Sequence, residues 1–158
     1  MKETESWDKS FSHIANIFAN HSSCVKRKVG AILVKDLRII SIGYNGTPSG
    51  FINCDDVFTY SNEDGIVKGK GIHNVKIMNH HEFSERYEIH AEQNCIAFAA
   101  KNGISTDGCT LYTTTAPCAQ CAKLIIASGI KRVVYYDVYK NSFGLELLEE
   151  NGVKCERV

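Results

Sequence analysis

The sequence predicts an α/β domain: a central mixed five-stranded sheet with helices on both faces, three layers in all. Three observations carry that expectation. After one amphipathic helix and a β-hairpin, helical and β-rich runs alternate to the end of the chain, the order that builds partly parallel sheets. The length of 158 residues suits a single domain, 1–158, and a chain of that size removes about two thirds of its unfolded surface from water. A hydrophobic content of 44% with two prolines excludes a disordered or linker-rich chain.

Each element has its own signal. Trp7, Phe11, Ile14, Ile17 and Phe18 recur at helical spacing behind Ser6, a ready N-cap, so a helix is expected near 6–20. Two β-rich runs, 29–34 and 38–44, flank a turn at Lys35-Asp36 and read as a hairpin. A buried, alanine-rich helix spans 91–100 and ends near Asn102-Gly103. A strand at 110–114, a helix at 118–128 stopped by Gly129, and a strand at 130–136 follow. A helix at 143–150 stopped by Asn151-Gly152 and a last strand within 153–158 complete the order. Between 45 and 89 lies a long insert with little periodicity. A structureless loop of that length is uncommon in a compact domain, so it is either functional and tied down, or disordered.

Charge and cysteine content narrow the function. Lys plus Arg and Asp plus Glu both number 18, which disfavours a broad basic surface for long nucleic acid or a polybasic membrane anchor. The sequence holds no run of about 18 apolar residues of the kind that spans a membrane. The opening residues MKETESWDKS hold no apolar stretch of signal-peptide type. The expectation is a cytoplasmic protein with reduced thiols, in which seven cysteines point to metal or catalysis rather than disulfides.

Two motifs carry the chemistry. His90-Ala91-Glu92 opens one helix and Pro117-Cys118-Ala119-Gln120-Cys121 opens the next, with a strand between them. One imidazole and two thiolates at helix N-termini suit a zinc ion that keeps a fourth position open for water. Zinc brings the pKa of such a water toward ~7. Glu92 stands close enough to His90 to exchange protons with that water without ligating the metal, acting as general base and then general acid. Together the motifs match the H-x-E and P-C-x-x-C signature of zinc deaminases. A structural zinc clip would show four ligands in paired knuckles, and a redox C-x-x-C would need neither His90 nor Glu92.

Beyond the motif, Ser41-Ile42-Gly43-Tyr44-Asn45-Gly46-Thr47-Pro48, Cys54-Asp55-Asp56 and the run YYDVYKN at 135–141 resemble deoxycytidylate (dCMP) deaminases, including phage enzymes, over roughly residues 10–150. That resemblance implies a cytidine-deaminase-like fold and hydrolytic deamination of dCMP to dUMP and ammonia, which supplies thymidylate synthesis. Attack would fall on C4 of the cytosine, with Glu92 protonating N3 and then helping the amine leave. The resemblance places Asn45 beside the sugar or base, and the backbone at Ala91, Thr114 and Thr115 around the pyrimidine edge. Lys26 is the position favoured for the 5′-phosphate, although Lys26-Arg27-Lys28 could equally be solvated charges. Tyr135, Tyr136 and Tyr139 could line the nucleotide pocket or a subunit contact, or pack at a strand end.

The same resemblance implies a second, structural zinc on Cys24, Cys54, His80 and Glu88, with His73 or His81 able to replace His80. Such a clip would offset the entropy of ordering the insert; the alternative is two buried thiols beside an exposed histidine pair. Cys95, Cys109 and Cys155 read as packing residues, and His13 and His21 as surface residues. Asp55-Asp56 could hold Mg²⁺ with a nucleotide triphosphate or form a solvated acidic turn. Family members of this kind imply a homohexamer, activated by dCTP with Mg²⁺ and inhibited by dTTP, in a host cytoplasm if phage-encoded. Other readings are a nucleoside, free-base or tRNA deaminase, or a non-catalytic zinc-stabilised binding module.

Overall fold

Ser6 opens the first helix by accepting a hydrogen bond from the Lys9 N–H, which satisfies one of the free N–H groups of the first turn. The computed structural model describes residues 6–69, 79–138 and 141–158; His73 and Tyr139 lie outside them. The chain runs α1 (Trp7–Ala19), β1 (Gly30–Lys35), β2 (Arg38–Tyr44), α2 (Cys54–Val57), β3 (Phe58–Ser61), β4 (Gly65–Lys68) and α3 (His80–Tyr87). It continues through α4 (Ala91–Lys101), β5 (Thr110–Thr115), α5 (Ala119–Ala127), β6 (Arg132–Asp137), α6 (Phe143–Glu150) and β7 (Lys154–Arg157).

Five strands form one sheet in the order β2-β1-β5-β6-β7. The pairs β2–β1 and β1–β5 are antiparallel, whereas β5–β6 and β6–β7 are parallel. The period-2 alternation of strands then divides the core. Ile32, Val34, Tyr112 and Val134 point to one face, where α1 covers them with Phe11 and Ala15. Ala31, Leu33, Leu111 and Val133 point to the other, under Ala91 and Ala99 of α4, Cys121 and Ile125 of α5, and Leu148 of α6. The three layers are therefore α1, the sheet, and α4-α5-α6. Among the described residues, no helix is long and apolar enough to cross a membrane.

Two glycines allow backbones to approach where a side chain would not fit. A Cβ on Gly43 of β2 would lie 2.5 Å from the carbonyl oxygen of Ala91, which seats the first turn of α4 directly on the strand. A Cβ on Gly144 would lie 2.0 Å from the carbonyl oxygen of Pro117, so α6 presses on the peptide that leads into α5.

The hairpin turn falls one residue later than expected. Asp36 and Leu37, with φ of 49° and 58°, occupy the left-handed region, and Lys35 still pairs with Arg38. Positive φ at both central residues belongs to a two-residue turn whose twist matches that of the strands. The insert also differs from expectation, since it holds α2, a separate β3–β4 hairpin and α3. Three of these four elements are four residues long, too short for a periodicity to show. Packing around Cys24, Cys54, Val57, Phe58 and Phe83 shapes them, in a small core of their own.

Candidate active site

Helix α4 starts where its cap is made locally: the His90 N–H donates to Oε1 of Gln93 at 2.9 Å. This leaves the His90 ring outside the helix while Ala91 and Glu92 enter the first turn. Cys118 stands at the N-cap of α5, and Cys121 lies in its first turn. Both helices begin at the same edge of the sheet, so the three side chains converge. Nδ1 of His90 lies 3.6 Å from Sγ of Cys118 and 3.4 Å from Sγ of Cys121. A tetrahedral zinc with ordinary Zn–N and Zn–S bonds separates such atoms by about 3.5 Å. The donor set and its spacing fit zinc, and three donors leave one coordination position for a small ligand.

The electrostatics suit a cation. The Cys118 thiol is held down to about 3, chiefly by the hydrogen bond with Cys121 and then by His90, against the opposing effect of burial. The shared proton stays with Cys121, whose thiol is pushed up by its Cys118 partner. His90 is raised to about 9, first by the sulfur of Cys118. Glu92 is buried, and burial pushes its carboxyl above the ordinary carboxylate range. A carboxyl that readily holds a proton next to a metal-binding trio is suited to moving protons.

A pocket of about 220 Å³ opens on these residues. Asn45, Ala91, Glu92 and Thr115 line it, as does Lys26 at its exposed margin. The Asn45 amide ties this wall together: Oδ1 accepts from the Val29 N–H at 2.8 Å, and Nδ2 donates to the Arg27 carbonyl at 2.9 Å. Thr114 is placed differently from its neighbour. Its hydroxyl accepts from the Gly30 N–H, and it lines a cavity on the α1 side of the sheet. Arg27 of the basic run and His81 also line the pocket, as do Ser84 and Glu85, which no motif singled out.

A second group borders the same pocket. Cys24, Cys54, His80 and Glu88 bring four donor atoms within 4.8 Å of one another. Nε2 of His80 lies 3.5 Å from Sγ of Cys24. His80 is the buried histidine of the pair, whereas His81 is exposed. Cys24 is held down to about 4, chiefly by the hydrogen bond with Cys54, whose own thiol is pushed up in return. Oε1 of Glu88 is buried without a hydrogen-bond partner among the described residues, an arrangement costly enough to call for one. Neither acidic residue of the nearby turn joins this group. Asp56 accepts from the Asn53 N–H at 3.1 Å as the cap of α2, and Asp55 is exposed. All seven cysteines are free thiols; Cys95 and Cys109 are packed in the main core, and Cys155 lies against it.

Known proteins resemble this chain in sequence and fold. Residues 5–137 match the family described as "Cytidine and deoxycytidylate deaminase zinc-binding region". The chain is 39% identical to the deoxycytidylate deaminase of Enterobacteria phage T2, covering 92% of this chain and 88% of that one. It is 38% identical to the deoxycytidylate deaminase of Mycobacterium phage D29, over 82% and 93% of the two chains. The dCMP deaminase of cyanophage S-TIM5, solved in complex with dCMP and dUMP, superposes with a TM-score of 0.76 at 33% identity, over 99% of each chain. The chain belongs to the cytidine and deoxycytidylate deaminase family.

Proposed function

We propose that this protein deaminates dCMP, adding one water and releasing dUMP and ammonia. The observation that carries this reading is the buried carboxyl of Glu92 beside a three-donor set that fits zinc and leaves one position open. Zinc held by His90, Cys118 and Cys121 supplies a Lewis acid that makes water acidic near neutral pH. Glu92 accepts a proton at its carboxylate as water adds to C4, then delivers it to N3. It then takes the proton of the new C4 hydroxyl and delivers it to the amine, which leaves as ammonia. Asn45 faces the sugar, Ala91 and Thr115 present backbone groups to the pyrimidine edge, and Lys26 meets the 5′-phosphate at the rim.

Cys24, Cys54, His80 and Glu88 hold a second, structural zinc in this reading. The orphaned Oε1 of Glu88 supports it, because a closed set of four donors is the usual structural site. The resemblance to deoxycytidylate deaminases, in which segment 43–48 matches the region involved in regulation, supports a homohexamer activated by dCTP with Mg²⁺ and inhibited by dTTP, working in the cytoplasm as one domain.

The test is a substrate panel of dCMP, CMP, dCTP, deoxycytidine and cytosine, followed by the loss of cytosine absorbance. Rapid turnover of dCMP with poor turnover of deoxycytidine is expected. Equal turnover of deoxycytidine or cytosine would remove the phosphate from the reading. Regulation is read in the same assay, as sigmoidal dCMP kinetics that dCTP makes hyperbolic and dTTP suppresses.

A further inference from the structure

Residues 22–29 lead from α1 to β1 without a helix or strand of their own, yet they serve both donor groups. Cys24 belongs to the four-donor set, and Arg27 and Val29 line the catalytic pocket. The backbone groups of such a segment must find partners outside regular structure. Asn45 meets three of them. Its Oδ1 accepts from the Val29 N–H, its Nδ2 donates to the Arg27 carbonyl, and its own N–H donates to the Val29 carbonyl at 3.1 Å. A fourth bond runs the other way: the Gly30 N–H donates to Oγ1 of Thr114 at 3.1 Å.

That bond stands where the sheet divides. Strands β1 and β5 pair from Val34–Thr110 to Ala31–Thr113, and no further among the described residues. Strand β5 continues beside β6 to Thr115–Asp137, and the Ala116 N–H still donates to the Asp137 carbonyl at 2.8 Å. Strand β1 stays beside β2, through Gly30–Tyr44 and the bonds between Val29 and Asn45. The walls of the catalytic pocket continue from the two sides of this division. Arg27 and Val29 stand on one side; Thr115, Ala116 and Cys118 stand on the other. The β1–β5 ladder has ended here, and the Thr114 hydroxyl bridges the gap from the α1 side.

We propose that Thr114 is a positioning residue of the deamination. Its hydroxyl latches β5 to the start of β1. It thereby fixes the separation of the two pocket walls, and through them the alignment of the pyrimidine with Glu92 and the donor trio. The proposal rests on the deaminase reading for the reaction that the latch serves, whereas the latch itself is measurable without turnover.

The test compares three variants of the zinc-loaded protein. Thr114→Val keeps the β-branched shape and removes the acceptor, Thr114→Ser keeps the hydroxyl, and Ile32→Val trims the core under α1 away from the walls. Amide exchange at the Gly30 N–H should quicken about tenfold in Thr114→Val, because that donor loses its partner. For dCMP, kcat should fall about ten- to a hundredfold in Thr114→Val, as small misplacements of reacting groups do. KM should change less, since the pocket still admits the nucleotide. Thr114→Ser should recover most of the loss, and Ile32→Val should keep the wild-type kcat. Faster exchange with kcat unchanged makes Thr114 a structural rung and overturns the proposal, as does an equal loss in Ile32→Val or no recovery in Thr114→Ser. A wild type that protects the Gly30 N–H and turns over no dCMP refutes the deaminase reading instead, and with it the reaction assigned to the latch.

Discussion

The two donor clusters share a pocket and differ in what surrounds them. His90, Cys118 and Cys121 project from the starts of α4 and α5, which rest on the sheet and belong to the main core. Cys24, Cys54, His80 and Glu88 come from a loop and from the insert, and they are embedded in the separate small core of Val57, Phe58 and Phe83. The first set has three donors and the buried Glu92 carboxyl beside it; the second has four donors, one of them a carboxylate. An open set on a rigid frame suits chemistry, and a closed set on irregular chain suits structure. The clusters are also coupled, because Glu88-Ile89-His90 gives one donor to each. Ile89 is pinned between them by paired backbone hydrogen bonds with Gly46, at 3.1 and 2.8 Å.

The sharpest way to break this contrast is Glu92→Gln. The amide keeps the size of the carboxyl and cannot carry its proton, so kcat should fall about 10²–10⁴-fold while zinc content stays unchanged. Full activity would remove Glu92 from the mechanism. Cys54→Ser should act the other way, lowering zinc from two equivalents per chain to one. The insert should then become sensitive to proteolysis and the melting temperature should drop, because metal affinity of a structural site is folding free energy. A several-fold loss of activity would report the strap that joins Glu88 to His90. One zinc equivalent in the wild type, with an unchanged melting temperature in the variant, would dissolve the comparison.

Some of this was legible in the sequence and some was not, for physical reasons. Helices α4 and α5 carry apolar runs with clear stops at Asn102-Gly103 and Gly129, with the catalytic donors at their starts, and strands β5 and β6 are β-rich runs that follow them. The insert's elements carry no such pattern, because four-residue segments are shaped by tertiary contacts rather than by periodicity. The contact beneath Cys118 is equally silent in the chain. Nothing about Gly144 as a helix residue announces that Pro117 presses against it. Gly144→Ala is therefore an informative change. Overpacking of this kind costs about 1–3 kcal/mol, and here the displaced group is the peptide that aims Cys118. Faster zinc loss to a chelator is expected, together with a lower kcat. Unaltered zinc release would make this glycine a packing residue only.

The smallest expected effect concerns the opposite layer, and it serves as a control on the contrast. Asp8 of α1 accepts both Nη groups of Arg132, at 2.9 and 2.7 Å, and the hydroxyl of Tyr112 at 2.7 Å. Arg132 also pairs with Glu156, so one cluster joins α1, β5, β6 and β7. These hydrogen bonds, led by that of Arg132, hold the Asp8 carboxyl below its usual 3.8. A depressed carboxylate contributes stability above its unfolded pKa and loses it as pH falls through the folded value. Asp8→Asn should therefore cost stability at neutral pH, by no more than about 1 kcal/mol because both side chains are partly exposed and screened. The gap between variant and wild type should close below pH 3.8. Measuring the difference between the two proteins cancels metal loss at low pH, which both undergo. A gap independent of pH would mean that Asp8 acts by shape rather than by charge. A change in zinc retention at neutral pH would mean that the α1 layer and the metal clusters are coupled, contrary to their separation into different cores.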